Sequence, residues 1–332
     1  MPRGGPLGGR IVTLSADTTQ IFFASALLPD GWRDDVCIDV DDSGDIVRVT
    51  FDATPDEGAV RAGIAVPGVP NLHSHAFQRA LVGVSEIRSS TEASFWTWRE
   101  QMYHLVARLT PATFEAVAAQ AYMEMLEAGF TAVAEFHYLH HGADGRPYGD
   151  LAEMSGRVLA AASETGIGLT LLPVLYSQGG IGGEPIESGQ RPFFNEIDRY
   201  FALLDRCRVL ADSASVSANV VVGRAAHSLR AVDPTALKAL AEGGRALGPL
   251  HIHVAEQADE VEQCLAWSRK RPVEWLLDNV PVDQHWALVH ATHTVEDELR
   301  GIAAANATVV VAPTTETNLG DGLIDAITFI EL

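Results

Sequence analysis

The sequence predicts an α/β chain, a parallel (β/α)8 TIM-type barrel preceded by a small N-terminal β module. Three observations carry that reading. From residue 68 onward, apolar strand-like runs alternate with helical stretches, the pattern of a parallel sheet covered by helices. The first 66 residues instead hold turn signals and short alternating strands. Histidines gather at the ends of the apolar runs, on the face where such barrels build their sites. The expected organisation is a β module over residues 1–66 and a barrel over 67–332. The chain has 332 residues and 47% hydrophobic composition, enough for one large core.

The first few residues are expected to be disordered. Leu28-Pro29-Asp30-Gly31-Trp32 and Asp41-Asp42-Ser43-Gly44-Asp45 mark turns, and residues 36–40 and 46–49 alternate as short strands. In the barrel, strand-like runs end at 71–75, 132–138, 169–176, 219–223, 250–254, 286–290 and 309–312. Between them, Thr110 as cap and Pro111 in the first turn open a helix through 114–128 that Gly129 closes. Further helices are expected over 151–165, 196–211, 234–247, 259–270 and 295–305. That makes seven strands where a closed barrel needs eight. The chain stops at Phe329-Ile330-Glu331-Leu332, inside what reads as the seventh helix, so the barrel is expected to be truncated before its eighth strand.

Composition excludes some functions. A formal net charge of -21 argues against nucleic acid and against an anionic membrane surface. No apolar run is long enough to span a bilayer, and the start lacks the apolar core of a signal peptide. Cys37, Cys207 and Cys264 are far apart, with no Cys-x-x-Cys, so neither a disulfide framework nor a cysteine zinc site is expected and a cytoplasmic setting fits. Cys207 and Cys264 fall on helices and read as core. A homodimer is compatible with this composition.

The chemistry starts at Asn71-Leu72-His73-Ser74-His75. In a strand, residues i and i+2 share a face, so His73 and His75 can reach one metal ion. Alone the pair is a weak signal. His251-Ile252-His253-Val254-Ala255-Glu256 strengthens it, because His253 can add a third nitrogen, and three protein ligands with an open position suit catalytic zinc. Glu256, just past the strand, can take a proton from an attacking water. His251 lies deeper and reads as core. His137, His140, His141, His227, His290 and His293 also follow or end strands.

Pro67-Gly68-Val69-Pro70-Asn71-Leu72-His73-Ser74-His75, His253 with Glu256, and Leu288-Val289-His290 together resemble the amidohydrolase superfamily, in its deaminase and iminohydrolase branch. Asn71 to Ala80, Ser94 to Glu100, Glu135-Phe136-His137-Tyr138, Ala226-His227-Ser228-Leu229-Arg230 and Pro313 to Gly322 resemble the iminohydrolases that act on N-formimino-L-glutamate, in order along nearly the whole chain. The resemblance implies a Zn²⁺ ion on His73, His75 and His253, proton transfer by Glu256, and His290 bonded to the water or the tetrahedral centre. It implies that Gln78, Arg99, Tyr138, His227 and Arg230 hold a small-molecule substrate with two carboxylates. Arginine forks suit such a substrate, though each arginine could equally serve an ordinary ion pair. Trp96 and Trp98 read as packing residues.

One feature departs from that pattern. The family has a metal-binding aspartate at the end of the eighth strand, and Asp321 and Asp325, which follow the seventh, are not assigned to that role. Two alternatives stay open: a deaminase of a cyclic amidine such as a nucleobase, which would need stacking surfaces more than two arginines, and an inactive remnant.

Overall fold

The structure, a computed structural model, describes residues 18–84, 95–213, 219–243 and 248–332. The disorder expected for the first residues, and the end of the helix expected over 234–247, fall outside these. The chain divides into two compact units, Met1–Gly68 and Val69–Leu332.

The first unit is a four-stranded sheet of β1 (Thr18–Leu28), β2 (Gly31–Asp41), β3 (Ile46–Thr50) and β4 (Val60–Ala65), in the order β3-β2-β1-β4. β1 and β2 form an antiparallel hairpin, and β4 runs parallel to β1. The turn after β2 is an Asx turn in which Asp41 Oδ1 accepts from the amides of Ser43 and Asp45. The sequence reading missed β1. Its run Ile21-Phe22-Phe23-Ala24-Ser25-Ala26-Leu27 lacks a clean polar alternation, and pairing on both sides makes it a strand.

The second unit opens with β5 (Val69–Ser74) and a 3₁₀ turn over Ala76–Leu81, then α1 (Phe95–Val106), α2 (Pro111–Glu127) and β6 (Phe130–His137). There follow α3 (Glu153–Thr165), β7 (Gly168–Leu175), a 3₁₀ turn over Ser188–Phe193, α4 (Ile197–Ser213), β8 (Val220–Val222), β9 (Arg224–Ser228) and α5 (Pro234–Glu242). The unit continues through β10 (Leu250–Val254), α6 (Ala258–Ser268), α7 (Pro272–Asn279), β11 (Trp286–His290), α8 (Glu296–Ala304), β12 (Thr308–Val310), α9 (Pro313–Leu319) and α10 (Ala326–Glu331). All strand pairs here are parallel, in the order β5-β6-β7-β9-β10-β11-β12, with β8 beside β7. The result is a nearly closed seven-strand barrel in which β5 and β12 end the path among the described residues.

Local chemistry explains the elements that the sequence announced. Thr110 caps α2 reciprocally with Thr113, Pro111 sits at its first position, and Phe114, Ala118, Ala121 and Tyr122 form its buried stripe. Asp233 caps α5 through the amides of Thr235 and Ala236. The fourth strand differs from expectation. It does not stop at residue 223 but breaks there and resumes as β9, so His227 lies within the strand rather than after it. Gly223 stands at the break, where a Cβ would lie 2.7 Å from Leu172 Cδ2 and 2.8 Å from the Pro249 carbonyl oxygen, so only glycine fits. α1 and α7 went unseen from sequence, α7 because eight residues give little periodicity.

Two large apolar clusters and a small third one of Ala287, Val289 and Val310 make the core of this unit. Phe77, Phe114, Phe136, Leu171 and Leu172 belong to the first, and Leu237, Ile252, Val273, Leu276 and Leu288 to the second. Each such side chain, fully buried, stabilises by about 1.5–3 kcal/mol. Cys207 and Cys264 are buried on α4 and α6, and Trp98 packs against the first cluster. The Trp96 side chain is outside what is described. Among the described residues, no helix is long and apolar enough to cross a membrane.

Candidate metal centre

Four imidazoles from three strand ends meet at the carboxyl end of the barrel. His73 is the next-to-last residue of β5 and His75 follows it. The β5–β6 register shifts between Asn71 and Ser74, and Asn71 Oδ1 accepts from the His73 amide at 3.1 Å, which shapes this end of the strand. Past it, the Ala76 amide donates to Glu135 Oε1 at 2.8 Å. His253 comes from β10 and His290 from β11.

His73 Nε2 lies 3.1 Å from His75 Nε2 and 3.1 Å from His253 Nε2. Two nitrogens bound to one tetrahedral zinc are about 3.3 Å apart, given bonds of about 2.0–2.1 Å. One nitrogen each of His73, His253 and His290 also lie within 4.8 Å of one another. The tautomers suit a cation. His75 Nδ1 is 2.9 Å from the Phe136 carbonyl oxygen, and His253 Nδ1 is 2.9 Å from that of His227. A carbonyl only accepts, so each ring carries its proton on Nδ1 and turns a bare Nε2 inward. Burial keeps the rings neutral. It holds His73 and His253 well below the usual histidine range, with neighbouring imidazoles adding to it, and brings His75 down to about 4. Two bare lone pairs turned toward a third buried imidazole at hydrogen-bond distance are a donor set suited to a metal ion.

Glu256 follows β10 and is buried. Its Oε2 accepts from Arg230 at 3.0 Å and its Oε1 lies 3.7 Å from His290 Nε2. Glu260 on α6 takes the amides of Ala255 and Glu256 at 3.1 Å each, fixing this turn. Ala255, His290 and Ala291 all have positive φ. The amides of Ala291 and His293 donate to the carbonyls of Val254 and Ala255, so the ends of β10 and β11 are tied together in a strained pair of turns. Burial opposes the charge on His290, yet Glu316, Glu256 and Asp321 outweigh it and raise its proton affinity above the usual value.

Around this centre stand the other residues singled out from sequence. Gln78 donates to the Tyr138 hydroxyl at 2.7 Å, and the Tyr138 ring packs edge-on against His75 and His227. His227 sits 5.1 Å from the His253 ring and 4.9 Å from the Tyr176 ring. Arg230 is largely buried, and the charges of Glu260 and Glu256 raise its proton affinity against the effect of burial. Arg99 on α1 lies over the Tyr103 ring at 5.7 Å, and the charges of both arginines act on the phenols of Tyr103 and Tyr176. Of the two aspartates after β12, Asp325 caps α10. Asp321 is buried, pushed up to about 6 by burial and by Glu256.

The remaining strand-end histidines stay apart from this group. His140 and His141 bond to carbonyls of Val174 and Phe194, and His251 is buried lower on β10. Tyr176, Glu135, Glu260 and Glu316 were not assigned roles from sequence. Glu316 lies in a quoted motif, but only the fold shows that it meets His290.

A parallel barrel with clustered histidines at its carboxyl end is the architecture of a metal-dependent hydrolase. Residues 64–331 match the amidohydrolase family, and the chain belongs to it. A formimidoylglutamate deiminase of Pseudomonas aeruginosa is 50% identical over 313 residues, covering 94% of this chain and 68% of that protein. A crystal structure of an amidohydrolase from Brucella melitensis superposes with a TM-score of 0.89 at 46% identity, over 94% of this chain and 69% of that one. An adenosine deaminase of Xanthomonas campestris with bound zinc shares the fold, with a TM-score of 0.71 at 20% identity, over 95% of this chain and 67% of that one.

Proposed function

We propose that this chain hydrolyses the formimino group of N-formimino-L-glutamate to N-formyl-L-glutamate and ammonia, using one Zn²⁺ ion held by His73, His75 and His253. The observation that carries this reading is that His73 Nε2 lies 3.1 Å from both His75 Nε2 and His253 Nε2, with Glu256 just past the end of the strand that carries His253. The deiminase relative at 50% identity supports the substrate. Arg230 and Arg99 supply the two positive charges that a dicarboxylate requires in a chain of net charge -21.

A Zn²⁺ ion held by His73, His75 and His253 would supply Lewis acidity, which makes water acidic enough to attack near neutral pH. The protein does the rest. Glu256 takes the proton from the attacking water as the new carbon–oxygen bond forms. It passes that proton to the formimino nitrogen, then takes the second proton from the hydroxyl on the tetrahedral carbon and gives it to the same nitrogen, so that the carbon–nitrogen bond breaks, the carbon–oxygen double bond forms and ammonia leaves. His290 holds the oxygen on the tetrahedral carbon through Nε2. Arg230 and Arg99 take the carboxylates, while Gln78, Tyr138 and His227 orient the formimino end.

The test is ammonia release by the zinc-loaded chain from N-formimino-L-glutamate, run beside adenosine, guanine and neutral formamidine. Turnover confined to the dicarboxylate is the expected result. Turnover of a nucleobase or nucleoside in its place would overturn the assignment.

A further inference from the structure

His290 differs from the other rings of the cluster in what holds its back edge. His75 and His253 each lean on a backbone carbonyl. His290 Nδ1 instead faces a carboxylate, Glu316 Oε1, at 3.2 Å. Both side chains are buried, at 3% and 1% exposure, so water does not replace the contact. The same Oε1 accepts the Ala312 amide at 3.0 Å, which pins α9 to the end of β12 and fixes where the carboxylate stands. On the far side of the ring, Nε2 lies 3.7 Å from Glu256, and the ring stacks on His253 at 5.4 Å and 18°.

We propose that Glu316 is the positioning residue of His290, holding the proton on Nδ1 so that the Nε2 edge faces Glu256 and the reacting carbon. This rests on the reading of His290 given under the proposed function. The argument is one of donors and acceptors. A neutral imidazole has one N–H and one lone pair, and an ionised carboxylate only accepts. Glu316 therefore selects the Nδ1–H form and also sets the plane of the ring. Without it, the proton is free to sit on Nε2, the ring can flip about χ2, and the edge offered to the substrate is no longer defined. Glu316 touches neither substrate nor metal in this scheme and acts only through His290.

The test uses the full chain, zinc-loaded and zinc-stripped, with ring-¹⁵N-labelled histidine. The His290 signals are assigned by their absence in His290→Gln. Recorded at a pH well above the raised proton affinity of the ring, so that His290 is neutral, wild type is expected to show Nδ1 protonated and Nε2 bare in the stripped protein. Glu316→Leu should lose that signature and lower kcat about 10–100-fold with KM changed by less than about threefold. Glu316→Gln, which keeps an oxygen for both donors, should keep the signature and most of kcat. If Glu316→Leu does not fold, Glu316→Asp, which withdraws the oxygen by one methylene, takes its place with the same expectation. A Leu or Asp variant that retains the Nδ1–H signature overturns the proposal, as does a Gln variant as impaired as Leu. If wild type releases no ammonia, the proposed function fails, and the tautomer comparison still decides the role of Glu316.

Discussion

The Arg230 guanidinium bonds the Glu256 carboxylate at 3.0 Å and reaches the Glu260 carboxylate at 3.9 Å. The candidate carboxylate reader and the candidate proton carrier therefore form one unit. An incoming carboxylate would compete with Glu256 for the same cation, so substrate binding and the placement of the Glu256 carboxylate are coupled. A buried pair of this kind is costly to break from one side, because the remaining charge is stranded.

Arg230→Met is expected to raise KM for N-formimino-L-glutamate about 10–150-fold, the equivalent of a charge-assisted hydrogen bond worth about 1.5–3 kcal/mol. The rise for neutral formamidine should be much smaller, while kcat falls on both substrates because Glu256 loses its counter-ion. Initial rates on the two substrates separate these effects. Equal KM changes on both would mean that Arg230 serves the fold and not the substrate.

Glu256→Gln should keep bound zinc and lose about 10²–10⁴-fold in kcat, the usual worth of a general acid–base group. The amide preserves the shape but cannot take the proton. Metal content and turnover are measured on the same preparation. Near-normal turnover would remove Glu256 from the proposed route.

Zinc added to the stripped chain should raise its melting temperature, since a ligand at 1,000 times its Kd stabilises the folded state by about 4 kcal/mol. His73→Asn should blunt that rise and lower bound zinc below one per chain, because His73 Nε2 is the nitrogen in contact with both neighbours. Calorimetry with elemental analysis checks both. An undiminished rise in the variant would place the ion elsewhere.

Glu135 is fully buried behind the His73–His75 turn and is pushed up to about 7 by burial, although its bond from the Ala76 amide works the other way. A carboxyl whose proton affinity is raised on folding lends stability that is complete below its unfolded pKa of about 4.5 and is lost as pH climbs through the folded value. The buried histidines work the other way in this window, because their lowered proton affinity adds stability as pH rises. The component is therefore read as the urea-unfolding free energy of the stripped wild type minus that of Glu135→Gln, a difference that should fall between about pH 4.5 and 7.5 by up to roughly 3 kcal/mol. Glu135→Gln should lack that component. Parallel pH profiles for the two proteins would show that Glu135 does not titrate in this window.

The strand–helix alternation, the cap of α2 and the positions of His73, His75, His253, Glu256 and His290 at strand ends were all legible in the sequence. They rest on local chemistry: the period of apolar residues, Thr110 and Pro111 at a helix start, and histidines two apart. β1 and the continuation of the fourth strand through His227 were not legible. Pairing on both sides makes the first a strand, and the second is interrupted at a glycine packed too closely against Leu172 and Pro249 for any side chain.

The sequence alone determined which residue types are available for a metal and a dicarboxylate, and the order in which the barrel presents them. Only the tertiary structure decided who meets whom. His73 and His253 are 180 positions apart and touch at 3.1 Å, and Arg230 reaches Glu256 across 26 positions. His290 finds Glu316 from a neighbouring strand end. The physical reason is the parallel barrel itself. Its strand register brings distant ends to one face, and burial there turns isolated polar residues into partners that must satisfy one another.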